Sequence, residues 1–234
     1  MSSIDSIKAL TFDTGGTILD WHSGFSKGFE KIKNNYKFNY TVAEFANLMR
    51  RKSLDLVTNQ NQNSLINFDT AHQQAVKEIF KEKKLEISDE ELYNLHYIAP
   101  AQLKAWPDFL EPFNYMKKNF FCISFTLLSN RLVYINSKSN QIYWDLVLSC
   151  ETLEVYKPNI EAYKKTANLL QLKPEECMMV ACHSFDLNAA QKAGFKTAFV
   201  KRDKEWGNDT IIKVDGNYDV VVDNFFELKA FLNC

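Results

Sequence analysis

The sequence predicts an α/β protein: a doubly wound parallel sheet carrying an all-helical insertion just after its first strand. Short apolar runs rich in β-branched and aromatic residues recur along the chain. Amphipathic stretches of helical length separate most of them, and residues 21–103 show helical periodicity alone. Strands that alternate with helices call for a parallel sheet covered on both faces.

The strand-like runs are IKALTF (7–12), FCISFTLL (121–128), LVLS (146–149), CMMVAC (177–182), TAFV (197–200) and DVVV (219–222). Each is continuous rather than alternating, as expected of strands buried on both faces. EPFNYMKKN, NIEAYKKTANLLQ and DLNAAQKAG supply helices between them, the last closed by Gly194 at the position after the helix end. Within the insertion, Thr41 with Glu44 and Ser88 with Glu91 form capping-box pairs that open helices. Val42, Phe45, Leu48, Met49 and Leu56 then recur at helical spacing, and FDTAHQQAVKEIFKE has the same period. TNQNQNSLIN (58–67) reads as an exposed connection between helices. The expected organisation is a core of residues 1–20 and 104–234 and a helical cap of residues 21–103. Ligands bind beyond the carboxyl ends of parallel strands, so helices inserted there form a lid.

At 234 residues the chain is long enough for a sizeable core, and its formal net charge of −1 gives no footprint for nucleic acid or an anionic membrane. No apolar run approaches the roughly 18 residues of a membrane span. MSSIDSIKAL has neither a basic leader with an apolar stretch nor a cleavage signature, so no signal peptide is expected. The five cysteines are scattered, odd in number and without a CxxC. They read as buried thiols of a cytoplasmic protein.

Reactive residues stand at the strand ends. Asp13 ends the first, in LTFDTGGTILD; Ser129 and Asn130 end the second, in LLSN; Lys157 follows LVLSCETLEV; Asp186 follows CMMVACHS. A carboxylate, a hydroxyl–amide pair, an amine and a second carboxylate, delivered by four strands, suit a reaction site at the top of a sheet.

FDTGGTILD resembles the first motif of the haloacid dehalogenase superfamily, LLSN its second, YKPN its third, and VACHSFDLNAAQKAGFKTAFV its fourth. The resemblance covers residues 1–20 and about 104–234. It implies a Rossmann-like core, a helical cap and Asp13 as a nucleophile that forms a covalent ester. Two departures bear on the chemistry. The superfamily's phosphatases carry a general-acid Asp two residues after the nucleophile, where this chain has Gly15. They also carry a magnesium-binding Asp, where this chain has Cys182. Magnesium prefers hard oxygen ligands, for which a thiol is a poor substitute.

The L-2-haloacid dehalogenase branch needs neither group, and the resemblance to it implies no metal and no cofactor. Arg50, in LMRRKSLDL, resembles the halide-facing arginine of that branch, with Arg51 as a one-residue alternative. Thr17 matches the hydroxyl that orients the nucleophile, Ser129 the group that binds the substrate carboxylate, and Asn130 a halide-side donor. Lys157 matches the lysine that keeps the nucleophile ionised, Tyr163 a substrate-contacting tyrosine, and Asp186 the acid that positions Lys157 and helps activate the hydrolytic water. Thr17 and Asp186 could instead be caps, Lys157 a surface charge and Tyr163 a core residue. Phe185 stands for a tryptophan of the pocket wall. Gly15 replaces a usual aromatic and widens the pocket or loosens the nucleophile turn. His183 reads either as a partner of an acid or the water, or as a satisfied structural histidine. Cys182 reads as an inert packed thiol.

The implied activity converts a short (S)-2-haloalkanoic acid to the 2-hydroxy acid, with halide as the other product and a homodimer as the assembly. Two rivals remain: a Mg2+-dependent phosphatase of a small phosphate ester, and a non-catalytic binding protein that keeps the cleft.

Overall fold

A computed structural model describes residues 6–61, 63–208 and 213–234. Strand β1 (Ala9–Phe12) leads through the short β2 (Leu19–Asp20) into four helices, α1 (Trp21–Glu30), α2 (Val42–Thr58), α3 (Phe68–Glu82) and α4 (Asp89–Tyr93). The chain returns through β3 (Lys104–Ala105) and continues as α5 (Leu110–Met116), β4 (Phe121–Thr126), α6 (Asn130–Ser139), β5 (Leu146–Ser149), α7 (Cys150–Leu153) and α8 (Ile160–Leu169). It finishes with β6 (Cys177–Ala181), α9 (Ser184–Lys192), β7 (Lys196–Val200), β8 (Val220–Val222) and α10 (Phe225–Phe231).

The main sheet has the order β5-β4-β1-β6-β7-β8, and every pairing in it is parallel. From β1 the chain builds outward through β4 and β5, then crosses back to lay β6 on the other side of β1. The direction of winding therefore reverses beside β1, where a crevice opens beyond the carboxyl ends of the strands. Phe12 is level with Ser124 of β4 and Val180 of β6, so Asp13 emerges beside the residues that follow β6.

All residues of β1 and β6 are buried, as continuous apolar runs require. β5 departs from that expectation: Leu146 and Val147 are exposed because β5 is an edge strand, hydrogen-bonded on one side only. On one face of the sheet, the Phe12 ring lies 5.6–6.3 Å from Phe109, Phe113, Trp144 and Phe225. On the other, Tyr163 packs between Phe125 and Phe195. Truncating a buried ring of this kind costs about 3–5 kcal/mol.

The inserted helices begin as their sequences dictate. Both capping boxes form, with Thr41 accepting from the Glu44 amide and Ser88 from the Glu91 amide. Asp20 and Asn67 cap α1 and α3. Phe29 of α1 and Phe45 of α2 stack with their centroids 3.8 Å apart. Leu48 and Leu56 are only half-buried, whereas Arg50 lies within the buried face of α2. The connection between α2 and α3 is largely exposed; Gln62 lies outside the described residues. A π-turn over Asn94–Ile98 extends α4. β2 and β3 pair antiparallel, Leu19 with Ala105 and Asp20 with Lys104, so the chain leaves and rejoins the main sheet through one ribbon.

The five cysteines are free, four of them buried. No helix among the described residues is long and apolar enough to cross a membrane.

Candidate active site

Asp13 follows β1 and is almost wholly buried. Its Oδ1 accepts from Lys157 Nζ at 3.1 Å. Its Oδ2 accepts from Thr17 Oγ1 at 2.8 Å and lies 3.1 Å from His183 Nδ1. Burial works against ionisation, but Lys157, His183 and Thr17 together outweigh it and hold Asp13 well below the usual carboxylate range. Thr17 in turn accepts from the Cys182 amide at 3.0 Å, which ties the turn after β1 to the end of β6. Thr14 and Thr126 pin the same turn to β4 through a hydroxyl pair 2.6 Å apart.

Lys157 is fully buried, which would by itself strip its charge. Asp13 and Asp186 outweigh that penalty and raise its pKa, so it stays an ammonium ion. Its Nζ also donates to the Phe125 carbonyl at 3.0 Å and to Asp186 Oδ2 at 2.5 Å. Tyr163 donates to Asp186 Oδ1 at 2.5 Å. Burial pushes Asp186 upward despite these partners, and it pushes Tyr163 up as well.

Arg50 reaches down from α2 on the open side of Asp13. Its guanidinium carbon lies 5.4 Å from the centres of both the Trp21 and Phe68 rings, held between two aromatic faces. Nη2 donates to the Gly15 carbonyl at 3.3 Å, while the buried Nε has no partner. Arg50, Asp13, Gly15, Leu128, His183 and Phe185 enclose a cavity with room for roughly one water, about 10 Å³ for the positions of its centre. Phe185 stacks on His183 with centroids 5.5 Å apart.

Sequence reasoning missed Glu205. This carboxylate is buried and accepts from Trp21 Nε1 at 2.9 Å, while His183 Nε2 lies 2.8 Å from its Oε1. Gly16, at φ +98°, makes room for it: a Cβ there would stand 2.2 Å from Glu205 Oε1. Burial would raise Glu205, but His183, Arg50 and Trp21 lower it. Burial likewise works against charge on His183, and Cys182, Glu205 and Asp13 outweigh it, raising its pKa well above the ordinary value. The position of Glu205 just beyond a parallel strand end is the only sequence signal that pointed to it.

Several expected residues face elsewhere. Ser129 caps α6 by accepting from the Leu132 amide, and its hydroxyl donates to Asp69 of α3 at 2.6 Å. Its hydroxyl is thus engaged with the inserted helices. Asn130 is exposed and donates to Glu151 Oε2 at 3.1 Å, away from the cavity, because the first turn of α6 points it outward. Tyr163 lies behind Asp186, sealed in the core, and does not line the cavity. Arg51 is exposed over the Trp206 ring and borders a separate surface depression.

Magnesium fits these residues poorly. Cys182 stands where the hard ligand would be, and burial and Glu205 push its thiol up, disfavouring a thiolate. The oxygens nearest the cavity are engaged by cations: Asp13 Oδ2 by His183, and the Gly15 carbonyl by Arg50. Cys182, His183 and Glu205 do bring ligating atoms within 4.8 Å of one another, but sulfur and nitrogen make that a soft donor set. The three hydrogen-bond to one another, and beyond the trio Cys182 Sγ meets Thr17, His183 Nδ1 meets Asp13 and Glu205 Oε1 accepts from Trp21.

Residues 10–200 match the model of the haloacid dehalogenase-like hydrolases. The chain is 25% identical over 205 residues to (S)-2-haloacid dehalogenase 4A of Burkholderia cepacia, covering 85% of each chain. Its fold is similar to that of a defluorinating L-2-haloacid dehalogenase, with a TM-score of 0.88, 26% identity and coverage of 97% of this chain and 96% of the other. A 58-residue stretch, 25% of the chain, is 40% identical to pyrophosphatase PpaX of Bacillus thuringiensis. With the family model spanning most of its length and the strand-end site in place, the chain belongs to the haloacid dehalogenase-like hydrolase family.

Proposed function

We propose that the protein is a metal-independent dehalogenase that converts a short (S)-2-haloalkanoic acid to the 2-hydroxy acid through an ester on Asp13. The observation that carries this reading is the Arg50 guanidinium, buried over the nucleophile with an unpaired Nε. A halide leaving an sp³ carbon needs a cation and donors, not a proton, and Arg50 supplies both. A phosphate ester would instead need a general acid at the position of Gly15.

In this reading Lys157 keeps Asp13 ionised and Thr17 fixes its orientation. The carboxylate attacks C2 of the acid from the side opposite the halogen, the carbon–halogen bond breaks, and halide departs toward Arg50. Water then adds to the aspartyl carbon, releasing the 2-hydroxy acid with inverted configuration. The cavity holds about one water, so the inserted helices act as a cap that must open to admit the acid.

The second reading, a phosphatase, is favoured by the short stretch similar to a pyrophosphatase. One experiment separates the two: halide release from L-2-chloropropionate in EDTA, with Asp13→Asn as the control. Release by the wild type alone supports dehalogenation. Hydrolysis of phosphate esters on added magnesium, without halide release, installs the phosphatase.

A further inference from the structure

Cys182, His183 and Glu205 converge from two neighbouring strand ends. Cys182 follows β6, His183 caps the start of α9, and Glu205 lies in the loop after β7. Because β6 and β7 are parallel, both deliver these residues to the same edge of the sheet, beside Asp13. Cys182 Sγ stands 3.5 Å from His183 Nε2 and 3.6 Å from Glu205 Oε2, and His183 Nε2 stands 2.8 Å from Glu205 Oε1.

Those separations resemble the edges of a zinc tetrahedron. Zinc bonds of about 2.3 Å to sulfur and about 2.0–2.1 Å to nitrogen and oxygen hold sulfur about 3.5 Å from either other ligand. The same bonds hold nitrogen and oxygen about 3.3 Å apart. Both sulfur distances match already, and the nitrogen–oxygen pair needs to open by about half an ångström once the proton between them is gone.

We propose that Cys182, His183 and Glu205 form a binding site for one Zn2+ ion, beside the nucleophile and outside the chemistry assigned to it above. The donor set that suits magnesium poorly suits zinc, which takes thiolate, imidazole and carboxylate together. The groups behind the three residues are those that orient metal ligands. His183 Nδ1 faces Asp13 Oδ2 at 3.1 Å, which turns Nε2 toward the other two, as a carboxylate behind a ligating histidine does. Trp21 Nε1 donates to Glu205 Oε1 at 2.9 Å, and Thr17 Oγ1 lies 3.4 Å from Cys182 Sγ. Cys182 and Glu205 are buried, so an ion reaches them past His183, whose ring borders the cavity over Asp13.

Arg50 adjoins Glu205 and Asp13, and Lys157 holds the far oxygen of Asp13, so the surroundings already carry cations. Zinc adds no net charge to them. Its binding strips the proton from the thiol and one proton from the imidazolium, and both pass to solvent as the divalent ion enters. The fourth position is left to solvent or to the second oxygen of Glu205.

The test uses the reduced full chain, treated with EDTA and then freed of it. It is titrated with ZnCl2 in a calorimeter and with Co2+ in a spectrophotometer. One Zn2+ per chain is expected, and Co2+ should give a thiolate-to-metal charge-transfer band with the visible absorption of a tetrahedral site. Cys182→Ser should lose that band. Trp21→Phe, which removes the donor behind Glu205, should weaken Zn2+ binding by roughly 10- to 100-fold, and Glu205→Gln by at least as much. No band in the wild type, a band that survives in Cys182→Ser, or displacement of Co2+ by excess magnesium overturns the proposal. If Cys182→Ser does not fold, Glu205→Gln decides: Zn2+ affinity equal to wild type overturns the site. Halide release in EDTA is a separate measurement, so the dehalogenase reading and this site fail independently.

Discussion

Arg50 Nη2 lies 3.3 Å from the Gly15 carbonyl and 3.5 Å from the point where a Cβ on Gly15 would stand. A Cβ at position 15 would just touch the guanidinium, so a side chain extending further along that direction would compete with Arg50 for the space. Gly15→Ala meets only ordinary van der Waals contacts and should fold with stability close to wild type. Gly15→Phe puts a ring into the guanidinium's place. The lost charge-assisted contact, worth about 1.5–3 kcal/mol, corresponds to a fall in kcat/KM of roughly 10- to 100-fold. Steady-state halide release by both variants checks this, and equal kcat/KM in the two would show that Gly15 does not seat Arg50.

The two adjacent arginines separate by burial. Arg50 is sandwiched between Trp21 and Phe68 over Asp13, whereas Arg51 is exposed against Trp206. Arg50→Lys keeps a charge but loses the planar stacking and the fork of donors, so halide release should drop at least tenfold. Arg51→Ala should stay within about 0.5 kcal/mol of wild-type stability and leave halide release unchanged. The opposite ranking of the two variants would move the halide-facing role to Arg51.

Lys157 is the single ammonium shared by Asp13 and Asp186 in a site closed to solvent. Removing one partner of a buried ion pair typically costs about 3–5 kcal/mol, because the charge left behind is uncompensated. Lys157→Met should therefore lose stability on that scale in urea denaturation and lose halide release entirely. Lys157→Met with Asp186→Leu leaves fewer orphaned charges, so it should recover part of the stability and none of the activity. A double variant less stable than the sum of the single ones would contradict this account of the pair.

Much of this was legible in the sequence because local pattern and strand order carry it. Continuous apolar runs placed β1, β4 and β6, and the two capping boxes placed the starts of α2 and α4. Asp13, Lys157 and Asp186 converge because each follows a parallel strand and the sheet aligns those ends. Side-chain direction was not legible. Ser129 and Asn130 are neighbours at a strand end, yet one turn of α6 sends the first toward Asp69 and the second to solvent. Glu205 carried only a weak signal, its place beyond a strand end, because its partners, Trp21 and His183, are remote in sequence and only the fold brings an acid from the loop after β7 onto them. Arg50 was read from resemblance alone; its burial depends on aromatic faces supplied by α1 and α3.

The charge on His183 has a signature in stability. Its folded pKa is raised well above the ordinary value by Cys182, Glu205 and Asp13 against the cost of burial. A group whose pKa is raised on folding stabilises the fold fully below its unfolded value, about 6.5 for histidine, and loses that contribution as pH rises through the folded value. Asp13 has the opposite sign: its lowered pKa gives stability above about pH 4 that disappears as pH falls through the folded value. Between those limits the imidazolium sits among ionised carboxylates and contributes most. His183→Asn should therefore be least stable relative to wild type near pH 6, with the gap closing as pH rises. Urea denaturation of both proteins across a series from about pH 6 upward measures that gap. A gap that stays constant or widens with pH would mean that His183 is neutral in the folded protein.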